Sequence, residues 1–97
     1  DAFVSQIETR NKATGQESVL DVDGVFVSVG FRPNTDYLKG ILSLDNIGAI
    51  VINEKMEAGV PGIFAAGDVR SNSIRQVISA AGDGATAAVY AEKYIAG

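Results

Sequence analysis

The chain has 97 residues, 46% of them hydrophobic, and carries 8 Lys and Arg against 12 Asp and Glu, a formal charge of −4 at pH 7. A chain this long makes one small domain that buries only about 60–65% of its unfolded surface, so its core is marginal. The hydrophobic share excludes a disordered tract, and the acidic balance argues against nucleic acid and anionic membrane surfaces, which select basic patches. No apolar run approaches the ~18 residues of a membrane span, and no secretory leader pattern opens the chain. There is no cysteine and no histidine. The first absence removes a disulfide framework and a redox dithiol from these residues. The second removes the commonest general base and the commonest metal ligand. No metal site and no nucleophile or acid–base catalyst is expected within the chain.

Residues 2–9 are rich in β-formers, residues 11–16 form a turn cluster around Gly15, and residues 17–22 carry Val19, Leu20 and Val22. Two β-leaning runs around a glycine-containing loop predict a hairpin. Asp23-Gly24 is a second turn signal, and residues 25–29 read as a buried-type strand ended by Gly30. Pro33 lacks an N–H and biases Arg32 toward an extended backbone, so a stiff connector follows. Arg32 reads as a surface or hinge arginine, or alternatively as a phosphate ligand. Asn34 or Thr35 caps a short helical turn over residues 36–39, with Asp36 favourable near its start and Gly40 at its end. Ile41, Leu42 and Leu44 supply an apolar anchor. Residues 45–48 are turn-like, residues 49–53 predict a strand, and residues 54–57 form a polar connection.

The organising stretch is Gly62-Ile63-Phe64-Ala65-Ala66-Gly67-Asp68-Val69-Arg70. Its apolar run without polar alternation predicts a central strand over residues 63–66, covered on both faces. Gly67 permits a turn or a close approach. Asp68 sets a carboxylate just past the strand's end, the edge at which open α/β sheets bind ligands. A carboxylate there accepts hydrogen bonds from neutral diols such as sugar hydroxyls; a plain loop reads the same way from these residues alone. Residues 71–73 then supply a helix N-cap. Positions 74, 77, 78, 81, 85, 88 and 89 form a helical apolar stripe, and the helix runs to about Ile95 with Gly97 beyond its end. Gly82 and Gly84 each cost such a helix about 1 kcal/mol relative to alanine, which points to tight helix–sheet packing first and room for a cofactor second.

The 62–70 stretch, the following Arg75-Gln76-Val77 and Ala80-Ala81-Gly82-Asp83-Gly84-Ala85, and the earlier Gly24-Val25-Phe26-Val27-Ser28-Val29-Gly30-Phe31-Arg32-Pro33-Asn34-Thr35 together resemble the pyridine-nucleotide-disulfide oxidoreductases of the low-molecular-weight thioredoxin reductase type. The resemblance covers nearly the whole chain and is to the C-terminal part of such enzymes. It implies an α/β fold: part of an FAD-binding, three-layer Rossmann-like domain with an N-terminal β-hairpin. Residues 1–31 correspond to the terminal β-ribbon of the NADPH-binding domain, and residues 32–97 to the C-terminal segment of the FAD-binding domain. The implied activity runs from NADPH to FAD to a redox disulfide to a thioredoxin-like protein, in the cytoplasm, in an enzyme that forms a homodimer. The flavoprotein component of alkyl hydroperoxide reductase is similar and remains an alternative.

Carried onto this sequence, the resemblance makes Gly67, Asp68, Arg75, Gln76 and Val77 the cofactor-binding residues. Asp68 would hold ribityl or ribose hydroxyls of FAD. Arg75, Gln76 and Val77 would meet the pyrimidine end of the flavin ring at the helix N-terminus, where free N–H groups and the helix dipole favour negative charge. Arg75 also reads as a solvated helix-start arginine. Tyr37, Tyr90 and Tyr94 read as core-closing tyrosines, with stacking on flavin as the alternative. The chain departs from its relatives at Ala58, where threonine is usual, so a local hydrogen bond of that connection is in doubt. The phosphate-binding glycine loops and the Cys-x-x-Cys pair of the complete enzymes are not among these residues. The isolated chain is therefore expected to bind FAD weakly or not at all, to lack reductase activity, and to self-associate through its unpaired strand; a non-enzymatic interaction module is the rival from another class.

Overall fold

The structure, a computed structural model, describes residues 2–97. It divides into two compact units, one ending at Gly30 and one spanning Phe31–Gly97.

In the first unit β1 (Gln6–Arg10) and β2 (Glu17–Asp21) pair antiparallel, with Gln6 opposite Asp21 and Arg10 opposite Glu17. The expected hairpin is formed. Its loop is closed by Asn11, whose Oδ1 accepts the N–H groups of Ala13 at 2.9 Å and Thr14 at 3.2 Å. Gly15, at φ +73°, supplies the left-handed step that brings the chain back. The expected strand over residues 25–29 is not formed: the segment has no regular secondary structure and no ladder, and Phe26 and Val29 are almost wholly exposed. A strand exists only through its ladder, and among the described residues nothing lies alongside this run to complete one.

The second unit has its core at Leu42, Ile50, Ala58 and Ala65, flanked by Leu38, Leu44, Ile52, Ile63 and Val69. The short helical turn forms as a 3-10 turn over Asp36–Leu38, without the expected side-chain cap. Thr35, buried at 1% exposure, instead donates its hydroxyl to the Gly48 carbonyl and ties this turn to the 45–48 loop. The strand expected over residues 49–53 contracts to Ile50, bridged to Leu44 on one side and to Arg70 on the other. The central strand expected over residues 63–66 contracts to a bridge between Phe64 and Glu57, with the Ala65 N–H on the Met56 carbonyl at 3.0 Å. Ala65 is buried, whereas Ile63, Phe64 and Ala66 are half-buried. The sequence pattern is that of strands flanked on both sides; these runs meet only short partners among the described residues.

The polar connection at residues 54–57 is held by Asn53. Its Oδ1 accepts the N–H groups of Lys55 at 2.9 Å and Glu57 at 3.0 Å. This supplies the tie left in doubt by Ala58, which is itself buried.

Among the described residues one α-helix, α1, is formed, over Val77–Ala96. It begins three residues later than position 74 because Arg75 sits at φ +55°, outside helical space. The Ser73 hydroxyl accepts the Arg75 N–H at 3.1 Å, making a turn rather than the expected cap. The predicted stripe also faces the other way. Ile74, Val77 and Ile78 are 69%, 89% and 82% exposed, and Ala81, Ala85, Ala88 and Val89 are exposed with them. The helix packs instead through Ala80, Asp83, Gly84, Ala87, Tyr90 and Ala91, which are buried or half-buried. A β-carbon at Gly82 or Gly84 would meet nothing within 4 Å, so the packing expected of these glycines is not made among the described residues. Among the described residues no helix is long and apolar enough to cross a membrane.

Candidate functional site

The chain turns after Ala66 into a 3-10 turn, Gly67–Val69, which lies against α1. Gly67 makes this possible through its backbone: its φ of +80° suits glycine above other residues. Ala80 lies directly beneath it, 3.4 Å from where a β-carbon on Gly67 would sit, an ordinary contact. The turn is thus seated on the helix one turn in from the helix start.

What fastens it is a pair of residues whose role no local motif announces. Asp83, on α1, is 7% exposed. Its Oδ2 accepts the Gly67 N–H at 3.1 Å and Arg70 Nε at 2.7 Å, while its Oδ1 accepts Arg70 Nη2 at 3.0 Å. Arg70 also donates Nη1 to the Ser71 carbonyl at 3.0 Å. The hydrogen bonds from Arg70 hold the Asp83 carboxyl below the usual aspartate range, with the Gly67 N–H acting in the same sense and burial opposing both. The same contact raises the Arg70 guanidinium. One signal for this pair was present in the sequence. An aspartate between two glycines in a helix of small residues is a charge on a face meant for packing, and such a charge needs a partner.

Asp68 stands on the clamped turn with its side chain exposed, and no donor among the described residues engages its carboxylate. Past Arg70 the chain makes two left-handed steps, at Asn72 (φ +57°) and Arg75 (φ +55°). The Arg75 guanidinium lies over the Phe31 ring, 4.8 Å from its centroid. Gln76 is the extended N-cap residue of α1, and its carbonyl accepts the Ala80 N–H at 2.9 Å. The N–H groups of Val77, Ile78 and Ser79 make no hydrogen bond within the described residues. Gly67 and Asp68 are therefore carried by a turn packed on the helix. Arg75, Gln76 and Val77 form its exposed, uncapped start. The two groups flank one end of one helix. A cavity of about 450 Å³ lies elsewhere, between residues 58–62 and Tyr94.

This donor set suits a ligand with hydroxyls at one place and an electron-rich edge at another: a free carboxylate accepts from the first, and open helix N–H groups face the second. Left-handed Arg75 adds local backbone strain of the kind that gathers at ligand sites. Other candidates resolve differently. Arg32 donates Nη2 to both Asp36 carboxylate oxygens at 3.2 Å, an exposed ion pair. Tyr94 packs edge-on against Phe64 at 6.5 Å, Tyr90 lies beneath Lys55 and Lys93, and Tyr37 is exposed. Among the described residues no group of acidic side chains is placed to hold a metal ion.

Comparison with known proteins adds to this geometry. The sequence profile described as pyridine nucleotide-disulphide oxidoreductase matches residues 1–84. The chain is 44% identical, over 95% of its length, to a thioredoxin reductase of Listeria innocua, of which it spans 29%. It is 45% identical over the same share to an alkyl hydroperoxide reductase component of Staphylococcus aureus, of which it spans 18%. Among solved structures, the thioredoxin reductase of T. acidophilum aligns with 94% of the chain at a TM-score of 0.74 and 39% identity, the chain covering 31% of it. The shared fold is α/β, part of a Rossmann-like domain with an antiparallel hairpin. By its sequence and by this fold, the chain belongs to the pyridine nucleotide-disulphide oxidoreductase family.

Proposed function

We propose that this chain is the C-terminal segment of an FAD-dependent enzyme of the thioredoxin reductase type, taking electrons from NADPH and delivering them through a redox disulfide to a thioredoxin-like protein in the cytoplasm. Residues 1–31 would be the closing ribbon of the NADPH-binding domain and residues 32–97 the last part of the FAD-binding domain. The division of the chain at Gly30–Phe31 supports that boundary. The likeness to the thioredoxin reductases of Listeria innocua and T. acidophilum supports the enzyme class.

The observation that carries the reading is the Gly67–Val69 turn, clamped on α1 so that the free Asp68 carboxylate is presented near the open helix start. Asp68 accepts hydrogen bonds from ribityl or ribose hydroxyls of FAD. Gln76 and Arg75, with the free N–H of Val77, present donors to the pyrimidine edge of the flavin. Donors and a helix dipole at that edge favour added negative charge and raise the flavin's potential. When bound, FAD supplies the hydride acceptance and the electron transfer. The disulfide must come from outside these residues, which contain no cysteine.

In the full-length enzyme, Asp68→Ala removes a charged acceptor and weakens FAD binding by about 1.5–3 kcal/mol. Titration of the apoenzyme with FAD measures this, and an unchanged affinity refutes the site. The isolated chain binds FAD weakly or not at all and shows no reductase activity; a stoichiometric flavin absorbance band copurifying with it overturns that. A homodimer of the parent, and self-association of the isolated chain through its exposed apolar segments, complete the proposal; light scattering reads the second.

The likeness to the Staphylococcus aureus protein supports a second reading, the flavoprotein component of an alkyl hydroperoxide reductase. Turnover of the full-length enzyme with a thioredoxin versus a peroxidase disulfide partner separates the two.

A further inference from the structure

We propose that Asp83 and Arg70 are positioning residues of the flavin site: their ion pair sets the place of the Asp68 carboxylate relative to the start of α1. The inference rests on the flavin-site reading above and gives the two residues that clamp the turn a role in cofactor binding.

The geometry is specific. Arg70 ends the turn that Gly67 begins, and its N–H closes that turn on the Gly67 carbonyl at 3.2 Å. Asp83 grips both ends, the Gly67 N–H and the Arg70 guanidinium, leaving Asp68 between two fixed residues. The clamp side chains are 16% and 8% exposed, so water competes little for these bonds. Asp68 itself makes no such bond and is held only through its neighbours. A two-legged guanidinium–carboxylate contact fixes orientation as well as distance. A single-point contact would leave the turn free to pivot on Ala80. Displacing a ligand-contacting group by about 1 Å is enough to degrade a preorganised site.

A purely structural pair would lower stability without caring whether Asp68 is present. A pair that acts through Asp68 loses its effect on FAD once Asp68 is gone, and a double-mutant cycle measures that difference. The test uses the full-length reductase, with Asp68→Ala, Asp83→Asn and the double variant. FAD affinity is read by titration of the apoenzyme, and flavin orientation by the visible circular dichroism of the bound cofactor.

Asp83→Asn is expected to weaken FAD binding roughly tenfold and to alter the dichroism, because the amide keeps an acceptor but loses one leg of the fork. Combined with Asp68→Ala it adds less than about twofold. If Asp68→Ala weakens FAD but Asp83→Asn does not, or if the two effects multiply, the positioning role is overturned and the flavin site stands. If Asp68→Ala leaves FAD affinity unchanged, the site reading fails and takes this one with it. Should Asp83→Asn not fold, Arg70→Lys carries the same cycle, since it keeps the charge and gives up the fork.

Discussion

The Gly67 α-carbon faces Ala80 so closely that a β-carbon on it would sit 3.4 Å from the Ala80 β-carbon. That spacing is ordinary contact, so space alone would admit an alanine. The backbone is the obstacle: φ at Gly67 is +80°, and the same residue's N–H must point at Asp83. Gly67→Ala is therefore expected to destabilise the protein by about 1–2 kcal/mol, the cost of an L-residue in left-handed space. Ala80→Gly should leave the turn in place, at the smaller cost of about 1 kcal/mol for glycine in a helix. Denaturant midpoints of the two variants check the order.

Acid stability follows from Asp83. Its folded carboxyl titrates below the ordinary aspartate value of 3.8, held there first by the Arg70 hydrogen bonds. A group lowered on folding contributes its full stabilisation above the unfolded value and loses it as pH falls through the folded one. The protein should lose stability as pH drops below about 4, and Asp83→Asn should flatten that limb while lowering stability at pH 7. Asp36 is also lowered, mainly by Lys39 and also by Arg32, but on an exposed side chain, so Asp36→Asn serves as the comparison. Thermal midpoints between about pH 2.5 and 7 give both slopes, and parallel curves for wild type and Asp83→Asn would count against the assignment.

Thr35 offers a test of the second unit's frame. Its hydroxyl is the donor that satisfies the Gly48 carbonyl, and the side chain is nearly inaccessible. Thr35→Val keeps the shape and strands that carbonyl, which costs about 1–3 kcal/mol. Thr35→Ser, which keeps the hydroxyl, should cost less. Urea unfolding distinguishes them.

Arg75 allows backbone and side chain to be separated. At φ +55°, asparagine is tolerated and a β-branched residue is not. Arg75→Asn should stay within about 1 kcal/mol of wild type, with loss of the contact to Phe31 as its main cost. Arg75→Val should lose about 1–2 kcal/mol. With the backbone preserved, a lowered flavin potential in full-length Arg75→Asn reports the missing guanidinium. An unchanged potential would leave Arg75 as a structural arginine only.

Local chemistry carried much of this fold. The hairpin at residues 6–21 needs only β-formers and a loop with Asn11 and Gly15, so its pairing and turn were readable from sequence. The helix and its approximate end were readable for the same reason. Its start was not, because nothing in Ser73-Ile74-Arg75 announces a left-handed arginine; that conformation goes with the Ser73 turn and the contact to Phe31, seen only in the structure. The apolar runs at 25–29, 49–53 and 63–66 were legible as strand-forming, yet a ladder needs neighbours, and only isolated bridges or none form among the described residues.

Sequence by itself determined the family and the site candidates Gly67, Asp68, Arg75, Gln76 and Val77, because motifs are strings of neighbours. Which face of α1 packs, and the grip of Arg70 on Asp83 across 13 residues, were decided only in three dimensions. A helix apolar on two sides has no intrinsic preference between them. The buried carboxylate breaks the tie, since it comes to rest where a guanidinium and the Gly67 N–H meet it.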